Sequence, residues 1–299
     1  MGPVIHVPEE FAAAQVKYNG DAGRAFVRQL PLQAREFCER WGLRVTGPAM
    51  HGVAALVLPV VRADGSRAAL KLQVLDAESE GEPVALRRWG GDGAVRLLAH
   101  DAPTNTLLLE RLDETRHLSA LDDSRDAVRI LAELLARLTA VPAPPGLRTL
   151  GAAARGMQER LPAALARVAD REARAVIADC AAAVREVADE PGDRLLHWDL
   201  HYDNVLAADR EPWLAIDPKP LAGDPGFDLM PALANDFSLS EVRWRFDLMT
   251  ETLGLDRERA KAWTLGRALQ NLLWNIEDED PLDTEQLAIA RMFLGRWGS

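Results

Sequence analysis

The chain has 299 residues, of which 48% are hydrophobic and 27% charged, so it can bury a sizeable core in one large domain or two smaller ones. Its 35 basic and 46 acidic residues give a formal net charge of −11, which disfavours nucleic acid as a partner and would attract a cationic small molecule. We predict no signal peptide, no membrane span and, from two distant cysteines, neither a disulfide nor a zinc site, and hence a cytoplasmic protein.

The first part of the chain is predicted to be rich in strands. A helix stopped by Gly42 precedes an apolar run over 53–61, and Asp64-Gly65 is a strong turn signal, so residues 68–74 are expected to pair back as the second arm of a hairpin. Three further elements are predicted here: a helix over 82–89 and strands over 95–98 and 106–111.

The pattern changes near residue 112, after which helical periodicity dominates. Helices are predicted over 124–138, 152–169, 172–188 and 259–277, with short strands over 195–196 and 213–216. We therefore predict an α+β chain, in which a β-rich N-terminal part over 1–112 precedes a mainly helical C-terminal part over 113–299.

The segment from His197 to Asn204 is typical of the catalytic loop of an ATP-dependent phosphotransferase. Asp199 and Asn204 fit the pattern His-x-Asp-x-x-x-x-Asn, which directs the carboxylate to an acceptor hydroxyl and the amide oxygen to a metal ion. Asp217 ends the next apolar strand, where a second metal-binding carboxylate is expected. Mg²⁺ prefers such oxygen ligands, so the sequence predicts a kinase that uses ATP and Mg²⁺.

Lys71, on the second hairpin arm, is the candidate cation for the α/β-phosphates of ATP. A lysine between apolar neighbours is usually solvated, but its position upstream of a His-x-Asp loop favours a phosphate contact. Glu82 is expected to pair with Lys71, with Glu78 and Glu80 as rivals. Backbone N–H groups of the preceding loop are candidates to cover the phosphates, at Met50, His51 and Gly52.

Three alternatives compete with an active kinase. His197-x-Asp199-x-His201 could begin a metallohydrolase site, but the other histidines form no second cluster of ligands. Residues 199–210 fail as a calcium loop because the sixth residue is Asn and the twelfth is Arg. A catalytically inactive kinase-like binding protein is opposed by the intact set of candidate catalytic residues.

Three blocks of sequence, over 196–206, 213–218 and 223–229, resemble the aminoglycoside phosphotransferases, and more narrowly the branch that contains the streptomycin 6-phosphotransferases and hydroxyurea phosphotransferases. Further similarity extends over nearly the whole chain. The resemblance implies a two-lobed protein-kinase-like fold, with a nucleotide-binding lobe over 1–112 and a catalytic and substrate-binding lobe over 113–299.

The resemblance also implies roles for individual residues. Asp199 is the catalytic aspartate, Asn204 and Asp217 are Mg²⁺ ligands, and Lys71 contacts the nucleotide phosphates. The backbone from Glu110 to Leu112 faces adenine, and Asp228 supports the catalytic loop.

Two segments depart from the branch. His51-Gly52-Val53 stands where the streptomycin enzymes are expected to carry Ser-Gly-Glu, and Lys219 stands where Glu is expected, next to a metal ligand. We expect these changes to alter efficiency or substrate.

A cationic acceptor such as streptomycin needs carboxylates that bind its guanidino groups. The candidates for this contact are Asp203, Asp228, Glu277 and Asp278. The last two end a helix and could equally be ordinary surface acids. We predict a monomer that phosphorylates a hydroxyl of streptomycin and confers resistance, with hydroxyurea or another small hydroxylated metabolite as the alternative acceptor.

Overall fold

The computed structural model describes residues 5–295, which fall into two compact units that meet between Asp113 and Glu114 in the sequence. The first unit contains, in chain order, α1 (Glu9–Arg40), β1 (Arg44–Val45), β2 (Met50–His51), β3 (Ala55–Val61), β4 (Arg67–Gln73), α2 (Glu82–Trp89), β5 (Leu97–Asp101) and β6 (Thr106–Glu110). β7 (Asp113–His117) begins at the boundary.

The first unit is built on an antiparallel sheet of order β1-β3-β4-β6-β5, with β2 also paired to β3. The predicted hairpin is confirmed, because β3 and β4 pair from Ala55 opposite Gln73 to Val61 opposite Arg67. Gly65 adopts φ 84°, which favours glycine, and the carboxylate of Asp64 accepts the Ser66 N–H. The turn chemistry therefore sets the register of the strand that carries Lys71.

Helix α1 supplies the apolar side chains that pack against this sheet. Its buried Phe11, Leu30 and Phe37 join Leu56 and Leu70 in one core cluster. Each fully buried side chain of this kind contributes about 1.5–3 kcal/mol relative to exposure. The helix has a kink at Gly20 (φ 55°, ψ −128°), which the sequence prediction lacked.

The second unit is mainly helical. It contains α3 (Ser124–Thr139), α4 (Leu150–Arg167), α5 (Arg171–Val187), β8 (Arg194–Leu196), β9 (Val205–Ala207), β10 (Trp213–Ala215), β11 (Leu221–Gly223), α6 (Met230–Ala234), α7 (Leu239–Leu253), α8 (Arg257–Glu277) and α9 (Thr284–Phe293). Helix α8 is buried on nearly all sides and lies against α4, α5 and α9, so it forms the centre of this unit's core.

Short strand pairs fix the predicted catalytic segment. β8 pairs with β11, and β9 pairs with both β10 and β7. Residues 197–204 run from the end of β8 to the start of β9, and Asp217 follows β10. Three of the short strands, β7, β9 and β11, were not predicted from the sequence.

Among the residues that the structure describes, none of the helices combines the length and apolar character needed to cross a membrane.

Candidate active site

The start of the candidate catalytic loop is held by a buried carboxylate. The two oxygens of Asp228 accept the N–H groups of His197 at 2.8 Å and Trp198 at 2.9 Å. Burial outweighs the two N–H bonds and Arg267, which act to lower it, and raises the pKa of Asp228 to about 7. Asp228 has no exposed surface with which to bind a substrate. The geometry corrects that part of the prediction and is that of a residue that supports the loop.

His197 joins the loop to the end of β10. Its ring is fully buried, with Nε2 3.0 Å from the Ile216 carbonyl oxygen and Nδ1 3.4 Å from the Asp199 N–H. Burial lowers the pKa of His197 to about 4, so the ring is neutral near pH 7. Nε2 then donates to the carbonyl and Nδ1 accepts, which ties two backbone segments together.

Trp198 adopts a backbone conformation that favours glycine. Its φ is 70°, which costs a non-glycine residue about 1–3 kcal/mol. Its buried indole packs 5.2 Å from the Phe227 ring, and the guanidinium groups of Arg148 and Arg267 each lie over it at 4.8 Å. These contacts offset the backbone cost, since buried cation–π contacts contribute up to about 2 kcal/mol each.

Asp199 is a half-buried carboxylate with two cations beside it. Lys219 Nζ lies 2.8 Å from Oδ2 and Arg267 Nη2 lies 3.9 Å from Oδ1. Burial by itself would raise the pKa of Asp199, but Lys219 and then Arg267 outweigh it and hold that pKa below its usual range. Asp199 is therefore ionised near pH 7 and can only accept hydrogen bonds.

Asn204 ends the candidate catalytic loop, and Asp217 follows β10. Asn204 Nδ2 donates to the Asp199 carbonyl at 2.8 Å, which leaves Oδ1 as the amide atom suited to a metal ion. The Ile216 N–H donates to the Asn204 carbonyl at 2.9 Å and so links the loop to the residue before Asp217. Asp217 itself has φ 57°. One carboxylate and one amide oxygen fit Mg²⁺, which takes its other ligands from phosphates and water.

The described residues of neither unit support a metallohydrolase site. Within residues 5–295 no group of three or more His, Cys, Asp or Glu side chains is arranged to hold a metal ion. Catalytic zinc sites need three such protein ligands.

Asp203 is the most accessible carboxylate of the loop. Its side chain accepts a hydrogen bond from the Ser119 hydroxyl, and its carbonyl lies 3.1 Å from His117 Nδ1. The side chain is 62% exposed to solvent, and its contact with substrate stays a prediction.

In the first unit, Lys71 on β4 pairs with Glu82 at the start of α2. Lys71 Nζ lies 2.7 Å from both Glu82 oxygens, and Gln73 Nε2 lies 2.7 Å from one of them. The side chains of Lys71 and Glu82 are only 5% and 1% exposed. Of the three glutamates considered from the sequence, Glu82 is thus the one that holds the lysine from both oxygens.

The loop expected to cover phosphates forms a tight turn between β2 and β3. Met50 pairs with Val57, and the Gly52 N–H donates to the Ala55 carbonyl at 3.1 Å. That N–H group is therefore used within the turn, at odds with a phosphate contact from Gly52. The exposed His51 ring lies 5.7 Å from Phe11 of α1.

The segment expected to face adenine follows β6. Glu110 is hydrogen-bonded to the backbone of Arg96, through its own N–H at 3.0 Å and its side chain at 2.7 Å. The Leu112 side chain is buried. These contacts fix the course of the backbone over 110–112, and the adenine contact stays a prediction.

The acidic end of α8 is paired with arginines of α4. Both Glu277 oxygens lie 3.0 Å from Arg160 Nη1, and Glu279 lies 3.1 Å from Arg167. The neighbouring Asp278 is exposed. These ion pairs favour a structural role for Glu277, and its contact with substrate stays a prediction.

Comparison with known proteins identifies the family. The family described as aminoglycoside/hydroxyurea antibiotic resistance kinase matches residues 40–279. The chain belongs to this family. It is therefore a phosphotransferase, and the predicted branch is confirmed.

Two relatives of this kinase match along almost its whole length. The chain is 63% identical to a hydroxyurea phosphotransferase of Kitasatospora aureofaciens, over 100% of this chain and 88% of the relative. It is 52% identical to a streptomycin 6-kinase of Streptomyces griseus, over 96% of each chain.

Solved structures confirm the predicted protein-kinase-like fold. An aminoglycoside phosphotransferase in ternary complex with ADP and hygromycin B superposes with a TM-score of 0.61 at 15% identity, over 89% of this chain and 99% of that one. A choline/ethanolamine kinase family protein from Mesorhizobium loti gives 0.60 at 18% identity, over 84% and 87%. At these identities the likeness concerns the fold.

The sequence analysis missed the cations around Asp199 of this kinase. Arg267 carried a recognisable signal, since it is a charged residue within the apolar stretch of α8. Lys219 was noted only as a departure from the branch, although it stands between two prolines directly after Asp217-Pro218. The stacking of Arg148 on Trp198 had no sequence signal, because fifty residues separate them.

Proposed function

We propose that this kinase transfers the γ-phosphoryl group of ATP to a hydroxyl of streptomycin or a closely related aminoglycoside and thereby confers resistance. The observation that carries the proposal is the candidate catalytic loop, in which the ionised carboxylate of Asp199 pairs with Lys219 and the Asp199 carbonyl accepts a hydrogen bond from Asn204 Nδ2. The identity of 51–52% to streptomycin 6-kinases of Streptomyces griseus and Streptomyces glaucescens supports the acceptor class.

The residues divide the work of phosphoryl transfer. Asp199 accepts a hydrogen bond from the acceptor hydroxyl, which orients one oxygen lone pair towards phosphorus and gives the proton a place to go. Asn204 Oδ1 and the Asp217 carboxylate would hold Mg²⁺, which neutralises phosphate charge when bound. Asp228 and His197 keep the loop backbone fixed.

In the first unit, Lys71 is proposed to bind the nucleotide phosphates. Glu82 determines where the Lys71 ammonium lies, because it accepts a hydrogen bond from Nζ. Gln73 in turn holds the Glu82 carboxylate by donating to one of its oxygens. The backbone over 110–112 is proposed to bind adenine. This assigns nucleotide binding to the N-terminal unit and chemistry and acceptor binding to the C-terminal unit, in a cytoplasmic, monomeric enzyme.

Hydroxyurea is the second candidate acceptor. The 63% identity to the hydroxyurea phosphotransferase of Kitasatospora aureofaciens favours it specifically. Both acceptors present a hydroxyl group to Asp199, so the same chemistry serves either. They differ in charge, since streptomycin is a guanidino cation and hydroxyurea is neutral.

The test is a set of parallel reactions with ATP and Mg²⁺ in which streptomycin, other aminoglycosides or hydroxyurea is the acceptor. Mass spectrometry should detect a phosphate adduct on streptomycin, and Asp199→Ala protein is the control for non-enzymatic transfer. An adduct on hydroxyurea alone would replace the first candidate with the second. Absence of any adduct, in protein shown to be folded, would overturn both.

A further inference from the structure

Lys219 has a backbone that is unusually restricted for a lysine. It lies between Pro218 and Pro220, whose rings fix their own φ angles, and a residue before proline is confined to extended conformations. Its N–H donates to the His197 carbonyl at 3.0 Å, and its carbonyl accepts from Arg148 Nη2 at 3.2 Å. Both backbone polar groups are therefore anchored to the catalytic loop and its support.

This anchoring brings the side chain to Asp199. Lys219 Nζ donates to Asp199 Oδ2 at 2.8 Å, the shorter of the two cation contacts that the carboxylate makes. Arg148, which holds the Lys219 carbonyl, also stacks on Trp198, the residue before Asp199. The lysine and the aspartate are thus positioned by the same set of contacts.

The second cation at Asp199 is held differently. Arg267 is 6% exposed and its guanidinium lies over the rings of Trp198, Phe227 and Trp274, which fixes it in the core. Lys219 is 28% exposed and carries a compact ammonium on a flexible four-carbon stem. Of the two cations, Lys219 is therefore the one whose side chain can move with the negative charge of a phosphoryl group during transfer.

The position of Asp199 limits the distance between the Lys219 ammonium and the phosphoryl group that is transferred. A carboxylate that orients an acceptor hydroxyl lies about 2.6–3.2 Å from its oxygen. Reacting atoms approach to about 3–3.5 Å before the bond forms. An ammonium 2.8 Å from the same carboxylate can therefore reach the phosphoryl oxygens by rotating its own side chain.

We propose that Lys219 is a further catalytic residue, whose ammonium contacts the phosphoryl group as it passes from ATP to the acceptor. The inference rests on the proposed function. The acceptor oxygen bonds to the γ-phosphorus, the bond from that phosphorus to the β,γ-bridging oxygen breaks, and ADP leaves with the electron pair. The acceptor proton passes to Asp199, and Lys219 keeps its own protons throughout. Its charge offsets the negative charge spread over the phosphoryl oxygens.

The experiment compares Lys219→Met, Lys219→Arg and wild-type enzyme. Lys261→Met is the matched control, because Lys261 also pairs with a carboxylate, Glu258, and has a similar exposed fraction of 31%. Steady-state kinetics gives kcat and KM. Titration with AMP-PNP measures ground-state nucleotide binding, and titration with ADP and aluminium fluoride measures binding of a mimic of the transferring phosphoryl group, both with Mg²⁺ and without acceptor.

We expect Lys219→Met to lower kcat by about 100-fold or more while the KM for ATP changes by less than about 3-fold. Its affinity for ADP with aluminium fluoride should fall in parallel, and its affinity for AMP-PNP should not. Lys219→Arg should recover part of kcat, and Lys261→Met should match wild type.

Two results would overturn the inference while leaving the proposed function intact. The first is a kcat of Lys219→Met within about 3-fold of wild type. The second is a loss of kcat with unchanged affinity for ADP and aluminium fluoride, which would mean that Lys219 acts only by orienting Asp199. A wild-type enzyme that binds neither nucleotide would instead contradict the proposed function, and the inference with it.

Discussion

Two lysine–carboxylate pairs in this kinase have nearly the same contact distance and very different surroundings. Lys71 and Glu82 are 2.7 Å apart and at most 5% exposed, whereas Lys219 and Asp199 are 2.8 Å apart and 28% and 22% exposed. A buried charge that loses its partner is strongly destabilising, but a pair open to water can separate at little cost. We therefore expect the buried Lys71–Glu82 pair to stay intact. We expect the more exposed Lys219–Asp199 pair, called the open pair below, to separate and exchange partners.

The largest effect is expected from removing the carboxylate of the open pair. Asp199→Ala should lower kcat by at least about 100-fold, since no group remains to orient the acceptor hydroxyl or take its proton. The Kd for AMP-PNP should stay within about 3-fold, because the proposed nucleotide contacts are made by other residues. Asp209→Ala, an exposed aspartate just after the loop, is the control and should keep full activity. Retention of full kcat in Asp199→Ala would contradict the assignment of Asp199 as the catalytic residue.

Breaking the buried pair should affect folding as well as activity. Glu82→Gln removes the buried carboxylate that both Lys71 and Gln73 contact, and we expect the free energy of unfolding to fall by about 3–5 kcal/mol. Urea unfolding monitored by circular dichroism measures it. Glu36→Gln, which removes an exposed pair with Arg40 in the same unit, should change stability by less than about 1 kcal/mol.

The contrast between the pairs requires that Lys219→Met behave unlike Glu82→Gln in the same unfolding assay. We expect a change within about 1 kcal/mol, because the open pair is partly solvated and Arg267 remains beside Asp199. A loss as large as that of Glu82→Gln would show that the second pair is also a structural contact, and the comparison would fail.

The supports of the catalytic loop should give opposite pH dependences of stability. Burial raises the pKa of Asp228 from 3.8 to about 7, so the folded state binds the extra proton and stability from this group falls as pH rises through that range. Burial lowers the pKa of His197 from 6.5 to about 4, so the unfolded state binds the extra proton and stability from this group is lost as pH falls from 6.5 to 4. In the wild type the two contributions partly cancel.

Single substitutions should expose each contribution. Relative to wild type, Asp228→Asn should gain stability more steeply as pH rises from 4 to 7, and His197→Gln should lose it more steeply over the same range. Urea midpoints at pH 4.5, 5.5 and 7 in a single set of buffers would measure both slopes. Parallel slopes in the two variants would contradict the assigned protonation states.

The sequence predicted the parts of the site that depend on local spacing. The loop from His197 to Asn204 and the hairpin that carries Lys71 follow from short motifs and turn chemistry, and both lie where they were expected along the chain. The role of Glu82 followed from its position at a helix start, although two nearby glutamates were equally plausible before the contact was seen.

The remainder depends on residues that are distant in sequence. Arg267 reaches Asp199 from a helix 68 positions further on, and the left-handed backbone at Trp198 contradicts the preference of a bulky residue. A charged residue in an apolar stretch marks Arg267 as unusual, but its contact with Asp199 and the conformation of Trp198 depend on tertiary packing that local patterns do not give. Asp228 was assigned two roles, and only its complete burial excluded substrate contact.

The left-handed backbone at Trp198 leaves this position without a conservative replacement. Glycine would fit the φ angle but remove the ring on which Arg148 and Arg267 stack, while phenylalanine would keep an aromatic face and the unfavourable φ. Because the two guanidinium groups connect this ring to both members of the open pair, a substitution aimed at Trp198 alters the surroundings of four charged residues at once. In a library of variants, position 198 should thus tolerate fewer amino acids than Asp203, which lies five residues away and is exposed to solvent.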